Sequence, residues 1–256
     1  NTNALLEEHV TARTAELRTA LAELQRAGKL KDEFLAIVSH ELRTPLMGVL
    51  SMSEMLEDQI AGPLNERQVT YVNSITHSGQ RLLSLINGIL VYTHLLSGKV
   101  QLQPEPVGVA ELLDICAASQ RHKAAAKRQA VAVTVEPPEL VITADPIALA
   151  EVLKRLLDNA VKFTPDGGQI GLEAHRGAAP NTVDLVVWDT GIGIAPDQLD
   201  HVFRAFIQAD ARLARRLEGL GLGLAYVDQM VRLMGGTIAC TSTPGAGSRF
   251  IVTLGV

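Results

Sequence analysis

The sequence contains little cysteine, no long apolar run and no excess of positive charge. Its 256 residues include only two cysteines, Cys116 and Cys240, too few for a disulfide framework and suited to a reducing compartment. No apolar run reaches the ~18 residues of a membrane-spanning helix, and no signal peptide is visible. The net charge of -5 excludes a chain-wide field that attracts nucleic acid, so no such partner is expected. These absences predict a cytoplasmic location for this segment, whether or not the full-length protein is anchored to a membrane.

A long heptad seam runs through the first part of the chain. Steps of alternately three and four residues from Val10 reach mostly apolar positions, as in a coiled coil. The positions are Thr14, Leu17, Leu21, Leu24, Gly28, Lys31, Leu35, Val38, Leu42, Pro45, Val49, Met52 and Leu56. Polar or small residues weaken the seam near its start, which predicts a marginal coiled coil over residues 1–30. Such a segment can pass a conformational change from an upstream sensor module.

A second seam follows a break at Gly62 and Pro63. Its positions are Val72, Ile75, Gly79, Leu82, Ile86, Ile89, Thr93 and Leu96. Two amphipathic helices joined by a short turn predict an all-α helical hairpin over residues 31–102. One hairpin buries its apolar stripes poorly, whereas two form a four-helix bundle, so the sequence predicts a homodimer. The alternative is a hairpin packed on its own C-terminal domain.

An ionisable cluster lies in the first helix, in the stretch "FLAIVSHELRTPL". The seam places His40 on the outermost face, with Glu41 next to it and Thr44 one turn further on. Pro45 cannot donate a hydrogen bond to the carbonyl of Glu41, which predicts a kinked or loosened helix just after the histidine. An exposed imidazole beside a carboxylate and a hydroxyl is a candidate reactive site. Taken alone, however, an exposed histidine on a helix is usually a solvated side chain.

Residues 103–256 have the alternating pattern of an α/β or α+β layer sandwich. The stretch "QLQPEPVGV" before it is rich in proline and predicts a linker, flexible near residue 103. Helices are predicted at residues 109–127, 146–162 and 222–235. Strands are predicted at "AVAVTV", "VITA", "QIGLEA", "TVDLVVWD", "GTIACTS" and "RFIVTLG".

One predicted helix of this region carries polar side chains on a single face. In "LKRLLDNAVKFT", Arg155, Asn159 and Lys162 lie four and then three residues apart. The amide oxygen of Asn159 suits a hard cation such as Mg²⁺, which keeps several water ligands. The point charge of Lys162 suits a phosphate group.

Glycine-rich stretches complete a candidate nucleotide site. "DTGIGIA" ends a strand with Asp189, a carboxylate able to accept from an exocyclic amine such as that of adenine, and Gly191 and Gly193 let the backbone approach a ligand. "EGLGLGLAYV" leads Gly219, Gly221 and Gly223 into a helix, whose N-terminal amides form an anion site. "TPGAGSRF" adds a further glycine turn, and no P-loop motif occurs. Each stretch is weak evidence alone, and their order and combination carry the prediction.

Taken together, these stretches resemble the bacterial sensor histidine kinases of two-component signalling over residues 30–256. "SHELRTP" is similar to the H box of that family, "LLDNAVKFT" to the N box and "DTGIGI" to the G1 box. "VFRAF" is similar to the F box and "GLGLGL" to the G2 box, and all five occur in the order of the family. The resemblance implies a dimeric four-helix bundle, in which the hairpin is the dimerisation and phosphotransfer domain. It also implies that residues 103–256 form a catalytic domain with the Bergerat (GHKL) ATP-binding fold.

The resemblance also implies roles for individual residues. His40 would be the phosphoacceptor, Glu41 the adjacent base, and Thr44 would help to position water when the partner is dephosphorylated. Asn159 would bind Mg²⁺, and a mobile lid over residues 204–218 would carry arginines toward the phosphates. The residues implied to bind ATP are Asn159, Lys162, Phe163, Asp189, Gly191, Gly193, Arg215, Arg216, Gly219, Gly221 and Gly223. The sequence departs from the family pattern at Arg155, where asparagine is usual, and at Leu220, where threonine or serine is frequent.

The function implied is that of a protein-histidine kinase, an ATP-dependent phosphotransferase. His40 would be autophosphorylated, and the phosphoryl group would pass to an aspartate on the receiver domain of a response regulator, which the kinase could also dephosphorylate. Two alternatives stay open. One is a degenerate dimeric scaffold that binds nucleotide, which the cation at Arg155 favours. The other is a Bergerat-type ATPase without a phosphohistidine, which the exposed cluster around His40 disfavours.

Overall fold

The structure is a computed structural model that describes residues 2–97, 100–207 and 221–256. The chain divides into two compact units, Asn1–Lys99 and Val100–Val256. The first unit is helical and the second is a mixed α/β sandwich, which confirms the predicted fold class. The finer division at residues 30 and 102 stays a prediction. Within the described residues, no helix is both long enough and apolar enough to cross a membrane.

The first unit consists of two helices, α1 (Thr2–Glu57) and α2 (Glu66–Leu96). The predicted break lies between them, and Gly62 adopts a φ of 112°, which favours glycine. Asn65 begins α2 with a capping box: its side chain accepts from the backbone N–H of Gln68, and the Gln68 side chain accepts from that of Asn65, both at 2.9 Å. Local sequence therefore fixes both the turn and the start of the second helix.

The first helix continues through its proline. Pro45 lies inside α1, which remains helical from Thr2 to Glu57. One missing N–H removes a single rung of the hydrogen-bond ladder, while both flanking segments keep theirs. The hydroxyl of Thr44 donates to the carbonyl of His40 at 3.2 Å, one turn earlier. The loosening predicted at this point therefore does not extend to a break in the helix.

Contact between the two helices uses only part of the predicted apolar surface. On α1, Leu50 is buried and packs on Gly79 of α2, where an added Cβ would lie 2.7 Å from a methyl group of Leu50. Near the turn, the buried hydroxyl of Thr76 donates to the carboxylate of Glu57 at 2.8 Å. The buried residues of α2 are Val72, Thr76, Gly79, Ile86 and Leu95.

Much of the predicted seam of α1 is exposed instead of being buried against α2. Leu42, Val49 and Met52 expose 47%, 46% and 69% of their surface. On α2 the seam divides, because Val72 is buried against α1 whereas Ile75 is exposed. Within the described part of the unit, the hairpin therefore leaves an apolar stripe open. Most seam side chains before Leu35 lie outside the described ones, so the coiled coil over residues 1–30 stays a prediction.

The second unit is built on a five-stranded sheet with helices on one face. Its helices are α3 (Val109–Ala126), α4 (Pro146–Phe163), α5 (Pro196–Leu199) and α6 (Gly223–Leu233). Its strands are β1 (Glu105–Gly108), β2 (Ala130–Glu136), β3 (Val141–Ala144), β4 (Gln169–Arg176), β5 (Thr182–Asp189), β6 (Thr237–Thr243) and β7 (Gly247–Gly255). The sheet order is β2-β4-β5-β7-β6, with β2 and β4 parallel and the other pairs antiparallel. All three predicted helices and all six predicted strands are present.

The prediction of an unstructured linker was wrong over residues 105–108. These residues form β1, which pairs with β3 in a separate two-stranded antiparallel sheet. Just before it, the backbone N–H of Gln103 donates to the carboxylate of Asp145 at 2.9 Å. A strand of four residues that includes Pro106 is too short to show a period of two in the sequence. Its partner lies far along the chain, so only the folded structure reveals the pairing.

The core of the second unit lies between the sheet and α4. This helix buries eight residues on one side: Ala148, Leu149, Val152, Leu153, Leu156, Leu157, Ala160 and Val161. Each fully buried leucine stabilises the unit by about 1.5–3 kcal/mol relative to an exposed one. Asp145 caps the helix, with its carboxylate accepting from the backbone of Ile147 and Ala148. The apolar side of α4 thus fixes the helix, and its other side is left for polar residues.

Candidate functional site

The first candidate centre is the exposed cluster on α1. His40 and Glu41 expose 75% and 76% of their side chains, and the imidazole Nδ1 lies 3.7 Å from Oε1 of the carboxylate. The carboxylate is nearer to Nδ1, so Nε2 is the ring nitrogen left to face an incoming group. The predicted exposure of the histidine and its pairing with the neighbouring glutamate are both present in the structure.

A contact missed by sequence reasoning lies close to this cluster. The guanidinium of Arg43 donates to the side-chain carbonyl of Asn87 on α2 at 2.7 Å. This bond ties the backbone that carries His40 to the second helix of the hairpin. The two residues lie far apart in the sequence, and no spacing pattern connects them.

The second candidate centre begins on the polar side of α4. Asn159, Lys162 and Phe163 lie in its last two turns and are all half-buried. The amino group of Lys162 lies 5.0 Å from the centre of the Phe163 ring. These side chains lie at the edge of the core, where a ligand can reach them.

Arg155 lies one turn before Asn159, and its guanidinium is engaged within the protein. It donates to the carboxylate of Glu151 at 2.8 Å and stacks on the ring of Tyr226 in α6, 4.1 Å from the ring centre. Burial raises the pKa of Tyr226, and the nearby positive charge of Arg155 partly opposes that shift. The cation that departs from the family pattern is therefore paired with an anion and joins α4 to α6.

Asp189 ends β5 as a buried carboxylate with its own hydrogen bonds. It accepts from the backbone N–H of Gly191 at 2.8 Å and from the backbone N–H of Ser248. Burial raises the pKa of Asp189 above its usual 3.8, and the two backbone donors only partly oppose this shift. A buried carboxylate at the end of a strand is a group that can accept a hydrogen bond from an amine of a ligand.

The segment after Asp189 is held against the end of α4. The backbone N–H of Ile192 donates to the carbonyl of Phe163 at 3.3 Å. Gly191 has to be glycine here, because an added Cβ would lie 2.6 Å both from that carbonyl oxygen and from the carboxylate of Asp189. Gly193 has a φ of 68°, and a Cβ on it would strike the carbonyl of Thr243. The structure therefore brings Phe163, Asp189 and both glycines together.

The glycine run lies at the start of α6, within the same unit. Gly221 has a φ of 69°, and its carbonyl accepts from the backbone N–H of Phe206 at 3.2 Å. α6 begins at Gly223, and no side chain caps its first turn. The sequence predicts an anion site at these N-terminal amides, and this stays a prediction. The predicted binding residues Arg215, Arg216 and Gly219 lie outside the described residues, as does Leu220.

A resident metal centre made only of protein ligands is not found in the described part of the chain. No group of three or more histidine, cysteine, aspartate or glutamate side chains there could hold an ion. Asn159 offers one neutral oxygen at the edge of the core. A single such ligand fits Mg²⁺, which is often bound through one or two protein groups together with phosphate oxygens and water.

Two family models match the chain. The model described as "His Kinase A (phospho-acceptor) domain" matches residues 30–98, and the model described as "Histidine kinase-, DNA gyrase B-, and HSP90-like ATPase" matches residues 144–256. The two matches lie on the helical hairpin and on the α/β sandwich. They correspond to the two candidate centres described above.

Curated proteins are similar to the chain along nearly its whole length. The circadian input-output histidine kinase CikA of Synechococcus elongatus is 41% identical over 96% of this chain and 33% of its own length. An uncharacterised sensor-like histidine kinase of Rhizobium meliloti is 39% identical over 94% of this chain and 46% of its own length. The chain thus spans less than half of the length of these relatives.

A solved structure is also similar to the chain over most of its length. The crystal structure of full-length ShkA in complex with AMPPNP is 36% identical, covers 87% of this chain and 45% of its own, and superposes with a TM-score of 0.73. One class of protein combines a helical hairpin that exposes a histidine with a sandwich that buries an aspartate at the end of a strand. The matches indicate the same class. The chain belongs to the sensor histidine kinases of two-component signalling.

Proposed function

We propose that this chain is the kinase core of a sensor protein that autophosphorylates His40 with ATP. The phosphoryl group then passes to an aspartate on a response regulator receiver domain. The observation that carries the proposal is the exposed pair of His40 and Glu41 in a chain that also has a Bergerat-type ATPase domain. An exposed histidine has no such meaning without a nucleotide domain in the same chain.

The geometry of the pair supports a defined transfer step. Glu41 lies 3.7 Å from Nδ1 of His40 and is proposed to hold a proton there, so that the lone pair on Nε2 is left to attack. A bond forms between Nε2 and the γ-phosphorus, the bond from that phosphorus to the β,γ-bridging oxygen breaks, and ADP leaves. The Nδ1 proton of the resulting imidazolium can pass to the carboxylate of Glu41. Thr44, one turn away, is proposed to position the water that hydrolyses the aspartyl phosphate of the regulator in the phosphatase reaction.

The polar edge of the second unit supports ATP as the phosphoryl donor. Asp189 is proposed to accept from the adenine amine, with Gly191 and Gly193 permitting the close approach of the base. Lys162 and the first amides of α6 are proposed to contact phosphate, and Phe163 to pack on the nucleotide. Arg215, Arg216 and Gly219 are proposed to contact the phosphates as well. The ShkA structure contains AMPPNP, an ATP analogue, in a protein with which this chain shares the fold.

Asn159 is proposed to bind Mg²⁺ together with the phosphates of ATP. The ion, when bound, neutralises charge on the transferring group. Arg155 does not compete for the same place in the described structure, since its guanidinium is held by Glu151 and Tyr226. The departure from the family pattern is therefore compatible with a metal-dependent kinase.

The open stripe on the hairpin supports a homodimer. Met52 on α1 and Ile75 on α2 are exposed large apolar side chains. A second copy of the hairpin would cover them in a four-helix bundle. A receiver domain and an upstream sensor module are the further partners proposed.

The test is incubation with γ-labelled ATP and Mg²⁺ of the wild type, of His40→Gln and of His94→Gln. His94 is an exposed histidine on the same hairpin and serves as the matched control. We expect label that resists base and is lost in acid, present in the wild type and in His94→Gln and absent from His40→Gln. The label should then move to a receiver domain and not to its aspartate-to-asparagine variant.

Two other results would each lead to a different function. ATP binding without label on the protein would indicate a nucleotide-binding scaffold. Continuous release of ADP without label would indicate an ATPase that forms no phosphohistidine. Label that persists in His40→Gln would show that the acceptor is a different residue.

A further inference from the structure

The C-terminal end of α4 is held from outside the helix by a lysine. The amino group of Lys127, just after α3, donates to the carbonyls of Val161, Lys162 and Thr164 at 2.7, 3.2 and 2.7 Å. Nearby, the side-chain amide of Gln129 donates to the carbonyls of Val161 and Thr164 at 3.1 and 2.7 Å. Two side chains thus supply five hydrogen bonds to one helix end.

The chemistry of a helix end explains why a lysine suits this place. The last four carbonyls of a helix have no partner within it, and they form the negative end of its dipole. An ammonium group offers three donors and a positive charge, and Lys127 uses all three donors on carbonyls of this end. Hydrogen bonds from charged donors are stronger than those from neutral ones. The main chain returns the contact, since the N–H of Gly167 donates to the carbonyl of Lys127 at 3.0 Å.

This helix end is also the part of α4 that carries the candidate nucleotide site. Lys162 and Phe163 lie in its last turn, and Asn159 lies one turn earlier. The carbonyl of Phe163 accepts from Ile192, in the segment that follows Asp189. A shift of the last turn therefore moves the phosphate-side residues and the adenine-side segment together.

We propose that Lys127 is a positioning residue for the nucleotide site, acting through the end of α4. It touches neither substrate nor metal itself. It fixes the main chain that presents Lys162 and Phe163 and that accepts the hydrogen bond from the segment after Asp189. The inference rests on the proposed binding of ATP at this site, and its test includes one measurement made without nucleotide.

A lysine within α3 provides the matched control. Lys123 lies one turn before Lys127 and also reaches α4, where its amino group contacts the carboxylate of Asp158 at 2.8 Å. That pair is exposed and involves only side chains, so it leaves the main chain of the last turn unheld. Removing either lysine deletes one positive charge and one link between α3 and α4. Of the two lysines, Lys127 alone donates to main-chain carbonyls at the end of α4.

The experiment compares Lys127→Met, Lys127→Arg and Lys123→Met with the wild type. We expect Lys127→Met to weaken ATP binding about tenfold by calorimetry, the equivalent of one charge-assisted hydrogen bond. Lys127→Arg should recover most of the affinity, and Lys123→Met should stay within about twofold. In hydrogen exchange without nucleotide, Lys127→Met should speed exchange of the amides of residues 161–164 and 190–193.

Loss of general stability is separated from loss of position by a further variant. Val183→Ala removes two methyl groups from a fully buried residue at the end of β5 opposite to Asp189. If it lowers the melting temperature as much as Lys127→Met does and lowers affinity equally, the positioning role is overturned. Unchanged affinity in Lys127→Met also overturns it. Should Lys127→Met not fold, Lys127→Gln, which retains an uncharged donor, is measured in its place against the same control and the same expectation. A wild type without ATP binding would instead overturn the proposed function, and the exchange pattern would still test the cap.

Discussion

The two units of this chain bury their apolar residues to very different extents. α2 buries five of its 31 residues, and two of those five are a threonine and a glycine. α4 buries eight of its 18 residues, all of them apolar. The helix of the hairpin thus leaves most of its surface exposed, whereas the helix of the sandwich buries one whole side. The sandwich completes its core by itself, whereas the hairpin presents an apolar stripe that only another surface can cover.

The largest effect is expected from a charge in the closed core. Leu153 is fully buried in α4, and Leu153→Asp would place a carboxylate among apolar side chains at a cost of several kcal/mol. We expect the sandwich to unfold while the helical hairpin keeps its circular dichroism signal. Limited proteolysis would show the loss of the second unit alone. The control is Ile115→Asp on the exposed side of α3, which should leave the melting temperature nearly unchanged.

The next effect concerns the open stripe of the hairpin. The double variant Met52→Glu, Ile75→Glu would place charges on two exposed seam positions, each of which would otherwise contribute about 1.5–3 kcal/mol when covered. We expect the protein to become monomeric in analytical ultracentrifugation, with the sandwich as stable as before. Val91→Glu changes an exposed apolar residue of α2 that lies off the seam, and it should leave the dimer intact. A dimer that survives the double change would place the interface elsewhere.

A third effect concerns Asp189, a buried ionisable residue in the second unit. Burial raises the pKa of Asp189 above 3.8, so its carboxylate takes up a proton at a higher pH than an ordinary aspartate does. Only the ionised form can accept from the amine of adenine at both oxygens, so ATP affinity should fall on acidification with a midpoint above 3.8. Asp189→Asn should bind ATP more weakly at pH 7 and lose this pH dependence. Calorimetry across the acid range provides the measurement.

The stability of the folded unit should respond to Asp189 in the opposite direction. The folded state holds the proton more tightly than the unfolded chain, because the pKa of the group is raised on folding. Ionisation of Asp189 therefore lowers the free energy of unfolding as the pH rises through this pKa. The ionised form of Asp189, which would bind the ligand, therefore destabilises the fold. Such a loss of stability is expected for a residue that is kept for binding.

The smallest effect is expected at the start of α4. Asp145 caps this helix and accepts from the backbone of Gln103, and these hydrogen bonds lower its pKa below 3.8. Asp145→Ala should lower the stability of the sandwich by about 1 kcal/mol, typical of a lost N-cap. Because the folded pKa is depressed, the contribution is present above pH 3.8 and is lost as the pH falls through the lower folded value. Thermal unfolding between acid and neutral pH would show the two melting curves converge at the acid end.

Sequence reasoning succeeded where one element carries its own pattern. The apolar period of α4 fixed that helix, and the alternating run before Asp189 fixed β5. It failed at β1, which is four residues long and depends on a partner strand far along the chain. The same limit hid the bond between Arg43 and Asn87, since a contact between distant side chains leaves no period in the sequence.

The candidate site divides in the same way. The motifs predicted which side chains lie along α4 and after β5, and the structure brings Phe163, Asp189 and Gly191 together. They could not predict what Arg155 contacts, because Glu151 lies on its own helix but Tyr226 lies on α6. Nor did any motif indicate Lys127 or Gln129, whose donors go to main-chain carbonyls that every sequence supplies.

The unbroken course of α1 has a mechanical consequence. At about 1.5 Å per residue, the 56 residues from Thr2 to Glu57 form a rod of roughly 84 Å. A continuous helix can transmit rotation about its own axis, so a rotation of α1 would change the direction in which His40 faces. The rotation of α1 about its axis would then determine which way the imidazole points. A signal could thus reach the imidazole as rotation about one axis, without any change in the secondary structure that separates input from output.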